Sequence, residues 1–178
     1  VPYLIPVPNS HFGVVQFTHM YEYDPLDASA ITAATMEGRQ EVIAEKYEGA
    51  VITSEKEVEG YIISAFDVGA EHGYAVFKPV EVGKYDLQTY GSPREKRLLI
   101  FGTLDIAEED SYEILVCGDE KIEALTVTIR DLYTGEDLQK EKISLEDSCI
   151  AVMKRNPVVW PWETYVIGYD AEGNAYEL

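Results

Sequence analysis

The sequence predicts a mainly β protein: an antiparallel β-sandwich or partly open barrel with one or two N-terminal helices. The run from Gly60 to Ile129 consists of short stretches of β-type residues separated by glycine, proline and acidic turn residues. A helical pattern is confined to residues 24–48. Closely spaced short strands with turns between them are typical of a meander that folds into a sandwich or barrel. Because such folds serve many functions, this pattern does not identify an activity.

The first ten residues are expected to form an extended arm. Pro2, Pro6 and Pro8 each fix the backbone φ angle and lack an N–H donor. Such a segment suits an arm or a sheet edge rather than a central strand.

A helical segment is predicted over residues 24–48. It begins at Asp24, whose carboxylate is suited to capping free amides, and Pro25 fits the first turn of a helix. Gly38 interrupts the apolar spacing, so the pattern is compatible with one kinked helix or with two short ones. Gly49 is expected to end the segment.

Residues 50–178 are predicted to form a β-rich body within a single domain, residues 1–178. With 178 residues, 46% of them hydrophobic, the chain is long enough to bury a substantial core. The predicted strands cover residues 50–57, 60–68, 73–80, 84–90, 96–104, 111–117, 124–130, 141–145, 149–154 and 164–169.

The clearest alternation lies in the strand that contains Leu125, Val127 and Ile129. These three side chains share one face of a strand, and Thr126 and Thr128 share the other. We therefore expect one dry face and one face exposed to water.

The composition is strongly acidic. Asp and Glu outnumber Lys and Arg by 33 to 14, which gives a formal net charge of -19. This charge disfavours nucleic acid and anionic membrane surfaces as partners, because both would be repelled. The charge indicates either a solvated surface or a surface that attracts cations or a basic partner. No run approaches the roughly 20 apolar residues that cross a bilayer, so no membrane insertion is expected.

Several glycine-bounded strand motifs carry a family resemblance. With the capped helix, residues 24–178 resemble a small domain of secreted proteins and lipoproteins of Gram-positive bacteria, mostly of uncharacterised function. The resemblance implies a β-sandwich that is extracellular or anchored at the cell surface, and it supplies no catalytic residues. The strand and turn motifs are residues 60–64, 73–78, 83–87, 99–103 and 169–174.

An acidic turn is a candidate calcium site. Asp105, Glu108, Glu109 and Asp110 lie between two predicted strands, and Ca²⁺ prefers hard oxygen ligands of this type. Their spacing lacks the alternating ligand pattern of known calcium loops, so a solvated turn is the competing interpretation.

The histidines form no recognised metal motif. His11, His19 and His72 are the three present, and none belongs to an H-E-x-x-H pattern. Glu71 and His72, with Asp67 nearby, are three potential ligands for a cation in a turn, although most histidines serve in packing or at the surface. No dinucleotide, Walker or G-x-S-x-G motif is present, so no cofactor is predicted and an enzyme is disfavoured.

Cys117 and Cys149 are the two cysteines of the chain. A disulfide between them is predicted if the protein matures outside the cytoplasm, and a pair of buried free thiols is the alternative. Their spacing does not match a C-x-x-C redox motif.

Both tryptophans flank one proline. Pro161 stiffens the segment, so Trp160 and Trp162 are candidates for a rigid binding platform. Such aromatics concentrate binding energy for a protein, peptide or carbohydrate partner. The alternative is that the rings close the end of the core.

These observations favour a non-enzymatic, extracytoplasmic domain that binds or scaffolds through its surface. A hydrolase that uses paired carboxylates and a structural subunit that pairs its edge strands between copies are the two alternatives. Two facing carboxylates in a cleft would favour the hydrolase, and carboxylates confined to turns would favour the binding domain.

Overall fold

The computed structural model describes residues 33–107, 110–145, 147–157 and 161–178. The arm predicted for residues 1–10 and the helix start predicted at Asp24 therefore lie outside the described residues. The elements are α1 (Met36–Lys46), β1 (Val51–Val58), β2 (Tyr61–Val68), β3 (Glu71–Glu81), β4 (Lys84–Tyr90), β5 (Arg94–Glu95), β6 (Ile100–Ala107), β7 (Asp110–Val116), β8 (Ala124–Asp131), β9 (Asp137–Ser144), β10 (Ile150–Lys154), β11 (Trp162–Tyr169) and β12 (Ala175–Glu177).

The described strands form three antiparallel sheets. Sheet A has the order β1-β2-β3-β4, with β5 also paired to β3; sheet B has the order β10-β7-β6; sheet C has the order β12-β11-β8-β9. These sheets are not closed into a barrel, so the predicted β-sandwich with an N-terminal helix is confirmed and the barrel alternative is not observed.

Sheet B lies in the middle of the stack. Ile114 and Val116 of β7 face sheet A and join a core that includes Tyr74 of β3. Leu115, between them in sequence, faces sheet C and packs in a second core with Val127 of β8. Because adjacent strand residues point to opposite faces, the apolar run in β7 is buried on both sides.

The helix covers the outer face of sheet A. Thr35 caps its start, since its side-chain oxygen accepts a hydrogen bond from the Gly38 N–H at 3.1 Å. Val42 and Ile43 are buried against sheet A. Gly38 therefore lies inside the helix and does not interrupt it, whereas Gly49, with φ of +80°, follows its end as expected.

The expectation of a water-exposed face on β8 is wrong. Leu125 and Val127 are fully buried as predicted, but Thr126 and Thr128 are also buried, with 8% and 3% exposure. The strand is central in sheet C, so long side chains of its neighbours, among them that of Tyr165 opposite Thr128, flank this face. Small threonine side chains between larger ones lose contact with water even on an outer face.

The prediction of a strand over residues 96–104 is also wrong for the first part of that range. The chain forms the two-residue strand β5 and then a turn, in which the Leu98 N–H donates to the Glu95 carbonyl oxygen at 2.9 Å. Strand pairing resumes only at Ile100, where β6 begins. This turn places Lys96 against Asp67 of sheet A.

Candidate functional site

A cavity of about 400 Å³ lies between sheets A and B. Sheet A contributes residues of β1, β2 and β3, and sheet B contributes the residues that follow β7 and those that precede β10. We call this space the inter-sheet cavity. Its volume falls within the range of small-molecule sites, about 300 to 1,000 Å³.

An irregularity in β1 shapes one wall of the inter-sheet cavity. The pairing register between β1 and β2 shifts between Ile52 and Ser54. Such a bulge re-aims side chains, which explains why the consecutive residues Thr53 and Ser54 both line the cavity. The Ser54 hydroxyl lies 2.7 Å from the Ser148 hydroxyl, so this wall is tied to the loop before β10.

His72 is the buried polar group of the inter-sheet cavity. The residue is 3% exposed, and its Nε2 atom lies 2.7 Å from the carbonyl oxygen of Leu98. Since a carbonyl oxygen only accepts, Nε2 carries the proton, and in the neutral ring Nδ1 is left as an acceptor. Nδ1 is buried and has no hydrogen-bond partner among the residues that the structure describes.

Glycine at position 118 allows the backbone to lie directly against the imidazole edge. A Cβ atom added at Gly118 would lie 2.5 Å from His72 Nδ1 and 2.8 Å from the Lys96 carbonyl oxygen. Any larger residue would therefore displace the ring or the turn that carries Lys96. The Gly118 backbone therefore covers the Nδ1 side of the ring, and this nitrogen is buried.

The protonation of His72 makes stability depend on pH. Burial lowers the pKa of His72 below its ordinary value of 6.5, and the Leu98 hydrogen bond and the charge of Asp67 only partly oppose this shift. The unfolded chain therefore binds a proton at a higher pH than the folded chain. We expect the free energy of unfolding to fall as the pH is lowered through 6.5 towards the folded-state pKa, and to lose nothing further from this group below it.

Urea unfolding between about pH 7.5 and 5.5 measures this effect. The matched control is His72→Gln, whose side-chain amide retains a donor for Leu98 but does not titrate. His11 and His19 are present in both proteins and cancel in the comparison. Parallel pH profiles for the two proteins would contradict a neutral, desolvated His72.

An ion pair lies beside the histidine. Lys96 Nζ is 2.5 Å from Asp67 Oδ2, and the two side chains are 36% and 29% exposed. The hydrogen bond to Asp67 raises the pKa of Lys96, so the lysine stays charged. Pairs with this much exposure contribute only about 0.2 to 1 kcal/mol, so a ligand can displace one partner at small cost.

The lining of the inter-sheet cavity carries more negative than positive charge. Among the described residues that line it, the side chains charged at neutral pH are four carboxylates and one ammonium, a formal excess of three negative charges. Besides Asp67 and Lys96, the charged residues are Asp119, Glu120 and Asp147, all in loops. The cavity is therefore suited to attract cations and to repel anions.

Both cysteines also line the inter-sheet cavity. The Cys117 N–H donates to the Cys149 carbonyl oxygen at 2.9 Å, and both thiols are free in the structure. Burial raises the pKa of Cys117 to about 11 and also raises that of Cys149. Neutral thiols of this kind suit packing rather than nucleophilic attack. Their oxidation to a disulfide stays a prediction.

The described part of the predicted acidic turn lies at the opposite end of β10 from Cys149. Asp105 accepts from the Ser111 hydroxyl at 2.5 Å and lies 3.9 Å from Arg155, and Asp110 lies 2.6 Å from Lys154. The other two candidates, Glu108 and Glu109, are outside the described residues. Calcium at this turn stays a prediction; within the described ranges no three His, Cys, Asp or Glu side chains are grouped to hold a metal ion.

Trp162 lies near the same acidic turn. Its ring is partly buried at the edge of the core between sheets B and C, and the Arg155 guanidinium carbon is 4.8 Å from the ring centroid. Arg155 also pairs with the buried Glu113 at 2.9 Å. Burial raises the pKa of Glu113 despite this pair. Trp160 is outside the described residues, so the binding platform stays a prediction.

Part of the lining of the inter-sheet cavity could be predicted from the sequence. Asp67 and His72 are paired in register across the Gly69 turn, so they share a face, whereas Glu71 alternates to the other face. Of the three cation ligands proposed from the sequence, Asp67 and His72 line the cavity and Glu71 does not; the ammonium of Lys96 lies beside them and pairs with Asp67. No local pattern indicated Lys96, Gly118 or Ser148, because they reach the cavity from separate loops.

Comparison with protein-family models, with curated proteins and with solved structures gave no match. The resemblance to a domain of Gram-positive secreted proteins therefore stays a prediction. Among the described residues, no helix is long and apolar enough to cross a membrane.

Proposed function

We propose that this protein is a non-enzymatic binding domain that holds a small polar ligand in the inter-sheet cavity. The resemblance noted from the sequence adds the expectation that it acts outside the cytoplasm. The observation that carries the proposal is the size and lining of this cavity: it measures about 400 Å³, and the described residues around it include four carboxylates, one ammonium and the buried His72.

The carboxylates favour binding over hydrolysis. Asp67 is neutralised by Lys96, and the other acidic residues of the cavity are in loops rather than on facing strands. Glycoside hydrolysis needs an acid and a base at a defined separation across a cleft. Glu113, whose pKa is raised, is 3% exposed and does not line the cavity.

The β9 edge of sheet C disfavours a structural subunit that pairs this strand between copies. The edge strand β9 exposes Lys140, Glu141 and Lys142 in succession. Charged side chains on an edge strand oppose pairing with another chain. Recognition through the cavity is therefore better supported than assembly through the β9 edge.

A fragment screen by NMR tests this proposal. The set contains neutral, cationic and anionic head groups on short carbon chains, and the readout is the backbone amide resonances of Gly118 and Cys149. We expect at least one class to give saturable shifts at these amides, and we expect His72→Gln to weaken them. If no class shifts these resonances, the cavity is not a ligand site and the proposal fails.

A further inference from the structure

We infer that residues 94–98 form a pH-sensitive strap, which closes over one side of the inter-sheet cavity at neutral pH and opens when His72 gains a proton. The strap comprises β5 and most of the turn before β6, and its residue Lys96 lines the cavity. The inference concerns a movement of the protein itself. It therefore goes beyond the proposed function and holds whether or not the cavity takes a ligand.

The strap is weakly held between two firm anchors. Before it, the Gly91 N–H donates to the Tyr74 carbonyl oxygen at 2.9 Å, and after it Leu99 packs against the core between sheets B and C. Of the five strap residues, four are exposed and Lys96 is half-buried. Segments with so little buried surface open locally at a much lower free energy than the whole fold.

Three contacts fix the strap to sheet A. Its strand, β5, pairs with β3 over two residues only, so that Arg94 lies opposite His72. Lys96 Nζ lies 2.5 Å from Asp67 Oδ2 in a partly exposed ion pair. The Leu98 carbonyl oxygen accepts from His72 Nε2 at 2.7 Å. Since the first two contacts are short or exposed, the buried histidine is the contact on which closure depends most.

The imidazole ring lies between the strap and the loop that follows β7. A Cβ atom added at Gly118 of that loop would lie 2.5 Å from His72 Nδ1 and 2.8 Å from the Lys96 carbonyl oxygen. The strap, the ring and the loop therefore meet at one point. With the strap closed, water does not reach the Nδ1 side of the ring.

A proton added to His72 has no acceptor in this closed arrangement. Nδ1 is buried, and no described residue forms a hydrogen bond with it. Protonation makes Nδ1 a donor and gives the ring a positive charge. A buried, charged donor without a partner is unfavourable. Release of the strap from the Gly118 loop exposes this donor to water and relieves the penalty.

The charges around His72 do not compensate for its burial. Burial lowers the pKa of His72 below 6.5; the Leu98 hydrogen bond and Asp67 oppose this shift, and Lys96 adds to it. The closed state therefore favours a neutral ring. The other ionisable side chains on the surrounding elements are Glu71 of β3, Arg94, Glu95 and Arg97 of the strap, Cys117, Asp119 and Glu120 after β7, and Asp147 and Cys149 before β10.

The direction of the pH effect follows from these two states. In the open state His72 is hydrated and has a pKa near its ordinary value of 6.5, above its value in the closed state. The open state therefore binds the proton at a higher pH. Lowering the pH from 7.5 to 5.5 is expected to raise the ratio of open to closed molecules by up to about tenfold. Because Lys96 moves with the strap, the cavity mouth widens in acid.

Amide hydrogen exchange at pH 7.5 and pH 5.5 tests the strap. The reporter is the Leu98 N–H, which donates to the Glu95 carbonyl oxygen at 2.9 Å, and each rate is divided by that of an unstructured peptide at the same pH. The control is the Gly135 N–H, which donates to the Asp131 carbonyl oxygen at 2.9 Å in a turn of sheet C. We expect protection of Leu98 to fall by up to about tenfold in acid and that of Gly135 to stay constant. Equal losses at both amides would indicate global destabilisation and overturn the inference.

A non-titrating variant tests the role of the histidine. His72→Gln retains a donor for Leu98, so its strap is expected to close and to show no pH dependence over this range. His11 and His19 are present in both proteins and cancel. A fall in Leu98 protection of wild-type size in this variant contradicts the inference. If the variant does not fold, the ring titration of wild-type His72 must share its midpoint with the loss of Leu98 protection, and separate midpoints contradict the inference.

Removal of the ion pair tests whether the strap moves as a unit. Lys96→Gln is expected to lower Leu98 protection about two- to fivefold at both pH values. Lys140→Gln removes the same charge from sheet C and is expected to leave it unchanged. A charged His72 ring with undiminished Leu98 protection overturns the inference, since Nδ1 would then have found an acceptor inside the closed strap. These readouts need no ligand, so they are independent of the fragment screen.

Discussion

Separate replacement of Ile114 and of Leu115 by alanine is expected to lower the free energy of unfolding by about 2 to 5 kcal/mol in each case. Both side chains are completely buried, although they are adjacent in β7 and point to opposite faces. Each change leaves a cavity in a different core, one between sheets A and B and the other between sheets B and C. Urea unfolding measures both losses.

The exposed neighbours Lys140 and Glu141 of β9 provide the matched control. Alanine at either position is expected to change stability by no more than about 0.5 kcal/mol. In a sandwich of only two sheets, one of the two β7 positions would face solvent and its replacement would be similarly mild. A small loss at Ile114 or at Leu115 would therefore contradict the stacking of three sheets.

Replacement of Glu55 by alanine is expected to cost about 3 kcal/mol or more, because it leaves the buried Arg39 without its carboxylate. Arg39 Nε and Nη2 donate to the two oxygens of Glu55 at 2.8 and 2.7 Å, and Ser64 donates to Oε1 at 2.6 Å. Burial alone would raise the pKa of Glu55, but the hydrogen bonds from Arg39 and Ser64 hold it below its ordinary value of 4.5. This pair fixes α1 to sheet A.

The double variant Arg39→Met with Glu55→Leu is the control for this pair. Removing both charges leaves no unpaired ion, so much of the lost stability should return. A double variant that is as unstable as Glu55→Ala would mean that packing, rather than the uncompensated charge, causes the loss.

The fold class followed from local patterns. β4 has the predicted bounds, Lys84–Tyr90, because glycine turns on both sides delimit a short apolar alternation. The burial of Thr126 and Thr128 was not predictable, since it depends on β8 being central in sheet C. Nor did the alternation within single strands reveal that sheet B is covered on both faces.

Only the part of the candidate site that lies on the β2–β3 hairpin could be predicted from the sequence. The Gly69 turn pairs Asp67 with His72, so two neighbouring residues of the cavity were indicated by the sequence. Lys96 and Gly118 come from loops far apart in the chain, and their approach to His72 depends on how sheets A and B stack. The electrostatic character of the cavity arises from this packing and from no local motif.

The most direct test of this account is the protonation state of His72, measured by long-range ¹H–¹⁵N correlation of the imidazole ring at neutral pH. The account predicts a neutral ring with the proton on Nε2 and a bare Nδ1. A charged ring or a proton on Nδ1 would contradict it.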